Sequence, residues 1–71
     1  MKHKLHIQNK YFIDVKSGLK TFEIRQNNRN YKIGDVLILK NLSNEEYLIK
    51  KIKYICSAEI YNLPNILILG I

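Results

Sequence analysis

Val36-Leu37-Ile38-Leu39 is the stretch that most restricts how this chain can fold. Alternate side chains of a strand face opposite sides of its sheet, so this run is apolar on both faces. A strand of that kind needs cover on each side, and we place it at the centre of a sheet. The runs around it alternate instead. Leu5 and Ile7 share one face of residues 3–8, with Lys4, His6 and Gln8 on the other, which predicts a half-buried first strand. His3 falls on the face of Leu5 and is expected to be partly buried, with His6 exposed. Thr21 to Gln26 alternates again. Phe22 and Ile24 are predicted to face the core, and Thr21, Glu23 and Arg25 to face away.

Residues 46–56 carry the longest strand pattern. Tyr47 and Ile49 are in phase, and so are Ile52, Tyr54 and Cys56, but the two sets are out of phase with each other. A bulge at Lys50-Lys51 would reconcile them, and such bends curl a small sheet toward a barrel. Asn65 to Ile71 is a last apolar strand, in which Gly70 permits a close approach or a bulge. Only one segment has helical spacing: Tyr11, Phe12 and Val15, with Asn9 as the N-cap and Gly18 as the left-handed residue that ends it near Ser17. Asn27, Asn28 and Asn30 mark a loop. Residues 31–35 read as a turn feeding a strand, 41–45 as a polar turn, and 57–64 as a connection with room for one helical turn. The expected fold is one α+β domain spanning residues 1–71, with a strongly curved sheet of about five strands and one short helix after the first strand.

A chain of 71 residues buries only roughly 60% of the surface that its unfolded form exposes. No disulfide can supplement that core, because Cys56 is alone. We read it as a small buried hydrophobe in a reducing cytosol. The opening Met-Lys-His-Lys-Leu-His is basic but has no apolar run after it, unlike a signal peptide. The longest apolar run, Ile66 to Leu69, is far short of the ~20 residues that span a bilayer. The expectation is a cytoplasmic protein without a membrane partner.

Twelve Lys and Arg against six Asp and Glu leave a net charge of +6. Such a chain is drawn to polyanions, of which nucleic acid is the commonest in a cytosol, although basic charge can also serve solubility alone. The cations concentrate around one segment. Lys20, Glu23, Arg25 and Arg29 fall within ten residues, next to a glycine turn. Lys20 is read as a donor to phosphate or a base edge, turned outward by the loop before a strand that starts at Thr21; the alternative is a solvated lysine. Glu23 and Arg25, two residues apart, can pair so that the guanidinium plane is fixed and offers a fork of donors; the alternative is an ordinary exposed ion pair. Arg29 is a phosphate contact or a solvated loop charge. Tyr31 stacks a base or seals the edge of the core. Two histidines without cysteines or a carboxylate cluster give no metal site, and no motif calls for a cofactor. Catalysis would rest on Lys20 and Glu23, and a lysine paired with a carboxylate is a poor nucleophile unless desolvated.

Gly18-x-Lys20-x-x-Glu23-x-Arg25 resembles the G-x-K-x-x-E-x-R signature of the ASCH family, within the PUA-like superfamily. Tyr31 to Leu37 is similar to that family's aromatic-x-x-G-D-x-hydrophobic segment, and Tyr11-Phe12 and the ending Leu67 to Ile71 extend the likeness. More closely, the chain resembles a short bacterial and phage branch of unknown function, with His6 and Gln26 standing where that branch has lysine and Asn28 where it has aspartate. The resemblance implies a PUA-like β-barrel that binds RNA or a modified nucleotide in a cleft beside the signature. A related branch hydrolyses an N-acetylated cytidine with a Lys and a Thr. Lys20 matches the former, but Glu23 stands at the threonine. The resulting expectation is a cytoplasmic RNA- or nucleotide-binding domain, monomeric or weakly dimeric, that uses Lys20, Glu23, Arg25, Arg29 and Tyr31. The alternatives are a small amidohydrolase acting on a modified nucleoside, and a phage or mobile-element accessory protein that binds another protein.

Overall fold

Two three-stranded sheets share a core of eleven buried side chains in the computed structural model, which describes residues 1–71. The strands are β1 (Lys2–Ile7), β2 (Phe22–Gln26), β3 (Val36–Asn41), β4 (Tyr47–Lys51), β5 (Tyr54–Ser57) and β6 (Ile66–Gly70). The helix α1 (Asn9–Lys16) follows β1, and a single 3-10 turn occupies Glu59–Tyr61. The first sheet has the order β1-β3-β4 and the second β2-β6-β5. No helix is long and apolar enough to cross a membrane.

Val36 to Leu39 lies in β3, the central strand of its sheet, as expected, but cover is one-sided: Leu37 and Leu39 are buried, and Val36 and Ile38 are half-buried on the outer face. β1 runs parallel to it, with Leu5 opposite Leu39, and β4 runs antiparallel, with Leu48 opposite Leu39. A parallel neighbour cannot be reached by a tight turn. The chain between β1 and β3 therefore travels through α1 and β2, which is how β2 enters the second sheet. Phe12 and Val15 of α1 are buried in the core, whereas Tyr11 is exposed. Gly18 takes the left-handed conformation (φ 85°) that ends the helix. The Lys20 amide then donates back to the Asp14 carbonyl at 2.9 Å, so the chain doubles over the end of α1.

Three expectations need correction. The N-cap is Gln8 rather than Asn9; the Asn9 side chain instead accepts from the buried Asn41 Nδ2 at 2.8 Å. Cys56 is half-buried, on the outer face of the second sheet. The strand expected over residues 46–56 is two strands, so there are six rather than about five, and no ladder closes them into a barrel. The change of phase is real, but its cause is a change of partner. Ile52 exchanges backbone hydrogen bonds with Asp35 and Gly34 at the end of the first sheet, and the Lys53 amide donates to Gly70 in the second. The chain steps across between Ile52 and Lys53. Gly70 lies against Tyr54 so closely that a Cβ there would stand 3.1 Å from the Tyr54 Cβ.

A buried polar pair secures one end of the first sheet. His3 Nε2–H donates to Asp35 Oδ2 at 2.8 Å, and the His3 ring lies 4.7 Å from that of Tyr31. His3 is thus fully buried rather than partly so. The Met1 amino group and the Lys32 amide also donate to Asp35. The His3 hydrogen bond, above all, holds the Asp35 carboxyl down at about 2, against the opposing effect of burial. A carboxylate lowered in the folded state stabilises above its unfolded value, near 4, and that contribution is lost as pH falls toward 2. Thermal unfolding across pH should therefore show Asp35→Asn with a lower Tm than wild type at pH 6, and with a smaller drop in Tm between pH 4 and pH 2. A variant curve parallel to wild type over that interval would exclude Asp35 as the source.

Candidate functional site

β2 is oriented against its own alternation. Glu23 is buried and Arg25 half-buried on the inner face, while Phe22 and Ile24 are exposed on the outer one. The pairing with β6 sets this. Glu23 stands opposite the buried Leu69 and Arg25 opposite the buried Leu67, so both charged residues share the core-facing side of the sheet. The expectation that Phe22 and Ile24 face the core, with Glu23 facing away, is thereby reversed.

The inner position suits Glu23 because its charge is matched there. Lys20 Nζ donates to Glu23 Oε1 at 2.7 Å. Arg25 donates to Glu23 Oε2 through Nε at 3.1 Å and through Nη2 at 3.0 Å. Three charge-assisted hydrogen bonds offset much of the cost of removing a carboxylate from water. Lys20 is not turned outward. It lies before β2, which begins at Phe22 rather than Thr21, and its ammonium also donates to the Phe22 carbonyl at 2.7 Å. Arg25 Nη2 reaches the His6 carbonyl on β1 at 3.0 Å, which ties the second sheet to the first.

The three residues line one hollow of about 450 Å³, together with His6, Gln8, Tyr11 and Phe22. Lys20 Nζ stands 4.8 Å from the centre of the Phe22 ring and 5.4 Å from that of Tyr11, within cation–π range of both. The donor inventory decides what the hollow can bind. A guanidinium has five N–H groups and an ammonium three. Nε and Nη2 of Arg25 are spent within the protein, which leaves the two N–H groups of Nη1; Lys20 keeps one. Two cations share one carboxylate, so the hollow retains a net positive charge and spare donors between aromatic walls.

Arg29 and Tyr31 do not join this hollow. They line a second, of about 340 Å³, in which Arg25 also takes part, so Arg25 stands between the two. Arg29 is exposed and has no partner in the protein. Tyr31 is buried against His3, which leaves its ring little face for a base. Burial pushes the Tyr31 phenol above the ordinary tyrosine range, with Arg29 and Arg25 pulling it the other way. Tyr11 and Phe22 are the aromatic groups beside Lys20. Helical and strand spacing gave both to the core, and only their exposure in the fold marks them.

These features define a small α+β domain with a cation-lined, aromatic-walled cleft at the junction of two sheets. By sequence the chain belongs to the family described as the domain of unknown function DUF3850, whose family model matches residues 2–71. No curated protein matches it.

The clamp on Glu23 has a measurable consequence. Glu23→Gln keeps the shape but puts an amide NH2, a donor, where one oxygen accepts from Lys20 or Arg25, so at least one charge-assisted bond is lost, which should cost about 2 kcal/mol. For a domain of this size that lowers Tm by roughly 8–16 °C, followed by circular dichroism. A Tm within two or three degrees of wild type would show that the clamp does not hold the fold.

Proposed function

We propose that the domain binds RNA or a nucleotide in the cleft built by Lys20, Glu23 and Arg25, as a member of the ASCH-like, PUA-like group that its G-x-K-x-x-E-x-R signature resembles. The observation that carries this reading is the convergence of the three signature residues on one hollow, with unspent N–H donors on Lys20 and Arg25. A phosphate or a base edge is the natural acceptor for such donors. Tyr11 and Phe22 supply apolar faces for a base. Glu23 acts as the holder of the two cations, since both of its oxygens are engaged. Arg29, unpaired on the far side of Arg25, adds attraction for a neighbouring phosphate. Two three-stranded sheets meeting at this cleft would be an opened form of the PUA-like barrel.

The hydrolytic alternative requires a hydroxyl nucleophile where Glu23 stands, and the Lys20 ammonium is held by a carboxylate. We expect no deacetylation of N4-acetylcytidine by the purified protein. Nuclear magnetic resonance titration with nucleoside 5′-monophosphates tests the binding reading. Amide shifts should concentrate at Tyr11, Lys20 and Phe22 to Arg25, and Arg25→Ala should weaken binding at least tenfold, the loss expected for one charged hydrogen-bond donor. Turnover of N4-acetylcytidine that disappears in Lys20→Ala would replace this reading with the enzymatic one, and an absence of shifts in the cleft at millimolar nucleotide would remove it.

A further inference from the structure

The outer face of the first sheet gathers lysines from distant parts of the chain. Pairing places Lys2, Val36 and Lys51 in one row across β1, β3 and β4. Lys4, Ile38 and Ile49 form the next row, and His6, Lys40 and Tyr47 the third. Four of these nine positions are lysine and none is acidic. One carboxylate borders this face: Glu45 in the turn before β4, 94% exposed, lines its hollow and pairs with Lys40 at 3.3 Å. A hollow of about 700 Å³ on this face is lined by Lys4, His6, Ile38, Lys40, Tyr47 and Ile49, among others. Tyr47 is 62% exposed and stacks on no other ring or cation, so its face is open.

We infer that this face is a platform for single-stranded nucleic acid, whose phosphates meet Lys2, Lys4, Lys40 and Lys51 while a base stacks on Tyr47. Charge complementarity identifies the occupant. A sheet face with four lysines against the single, solvent-exposed carboxylate of Glu45 suits a polyanion, and an open aromatic ring among those lysines suits a polyanion with exposed bases. A duplex keeps its bases stacked inside and would leave Tyr47 without a partner. Strands lie about 4.8 Å apart and rows about 6.8 Å apart, so the nine positions cover an area roughly 10 by 14 Å, enough for a few nucleotides. The face is distinct from the cleft of Lys20 and Arg25 and does not depend on it. His6 belongs to the lining of both hollows and marks where they meet.

The test is fluorescence anisotropy with a labelled twelve-nucleotide oligouridylate at several salt concentrations. Four phosphate contacts on a single strand give a slope of log K against log salt of about −3, at about −0.7 for each contact. Lys4→Ala and Lys51→Ala should each make that slope shallower by about 0.7. Tyr47→Ala should weaken binding roughly 5- to 150-fold, the range for one stacked base, with the slope unchanged, and Tyr47→Phe should restore it. Circular dichroism confirms that each variant is folded. Binding of a nucleoside monophosphate in the cleft should be the same in all four variants, so the platform and the cleft stand or fall separately. No binding of the oligonucleotide at low salt would overturn the inference. So would a slope that none of the lysine substitutions changes, or tighter binding to a duplex or to phosphatidylserine vesicles than to the oligonucleotide.

Discussion

The Glu23 carboxylate is the group on which the arrangement of this molecule turns. It is buried on the inner face of β2 and bound by Lys20 from the loop after α1 and by Arg25 from β2 itself. Through Arg25 the same cluster reaches the His6 carbonyl on β1. One carboxylate thus joins the end of the helix loop, the second sheet and the first sheet. An unpaired charge in that position would be strongly disfavoured, and either cation alone would leave an oxygen unsatisfied. The cluster is complete only when β2 presents its odd-numbered residues inward, and this is what leaves Phe22 and Ile24 on the outside.

A second polar pair, His3 with Asp35, plays the corresponding part at the other end of β1. Eleven buried apolar side chains are a small core, and apolar contacts by themselves specify alignment weakly. Buried hydrogen-bonded pairs can be satisfied in one alignment only. β1 is held near His3 by Asp35, the residue before β3, and near His6 by Arg25 of β2, so it is tied to its own sheet at one end and to the second sheet at the other. Here polar burial serves to specify the fold as much as to stabilise it.

The surfaces divide by chemistry. The outer face of the first sheet carries lysines and Tyr47, and that of the second carries Phe22, Ile24, Tyr54, Cys56, Ile66 and Ile68. The cleft lies between them, where the two sheets meet. The charge of +6 is therefore not spread evenly. It is concentrated on one sheet face and along the line from Lys20 through Arg25 to Arg29, which gives the molecule two distinct places for an anionic partner.

Alternation, turn residues and glycine placement were enough to determine most of the elements. The doubly apolar run at Val36 to Leu39 marked a central strand, and it is one, but only the face of Leu37 and Leu39 is covered, with Val36 and Ile38 half-buried on the outer face. Gly18 marked the end of α1, and Gly70 a close approach or a bulge, of which the fold realises the close approach. The spacing of Lys20, Glu23 and Arg25 singled out one segment, and the three side chains line one hollow. What alternation does not contain is which of two faces becomes the inside, since that depends on the partner strand. Only the pairing with β6 turned Glu23 inward, and only the competing attractions of Asp35 and Gly70 split residues 46–56 between two sheets. Asn9 lost the N-cap position to Gln8, because Asn41, 32 residues away, engages its side chain. Tyr31 found His3, and four lysines from three strands became neighbours, for the same reason. Such contacts join residues far apart in the chain, and the free energy that selects them exists only once the sheets have formed.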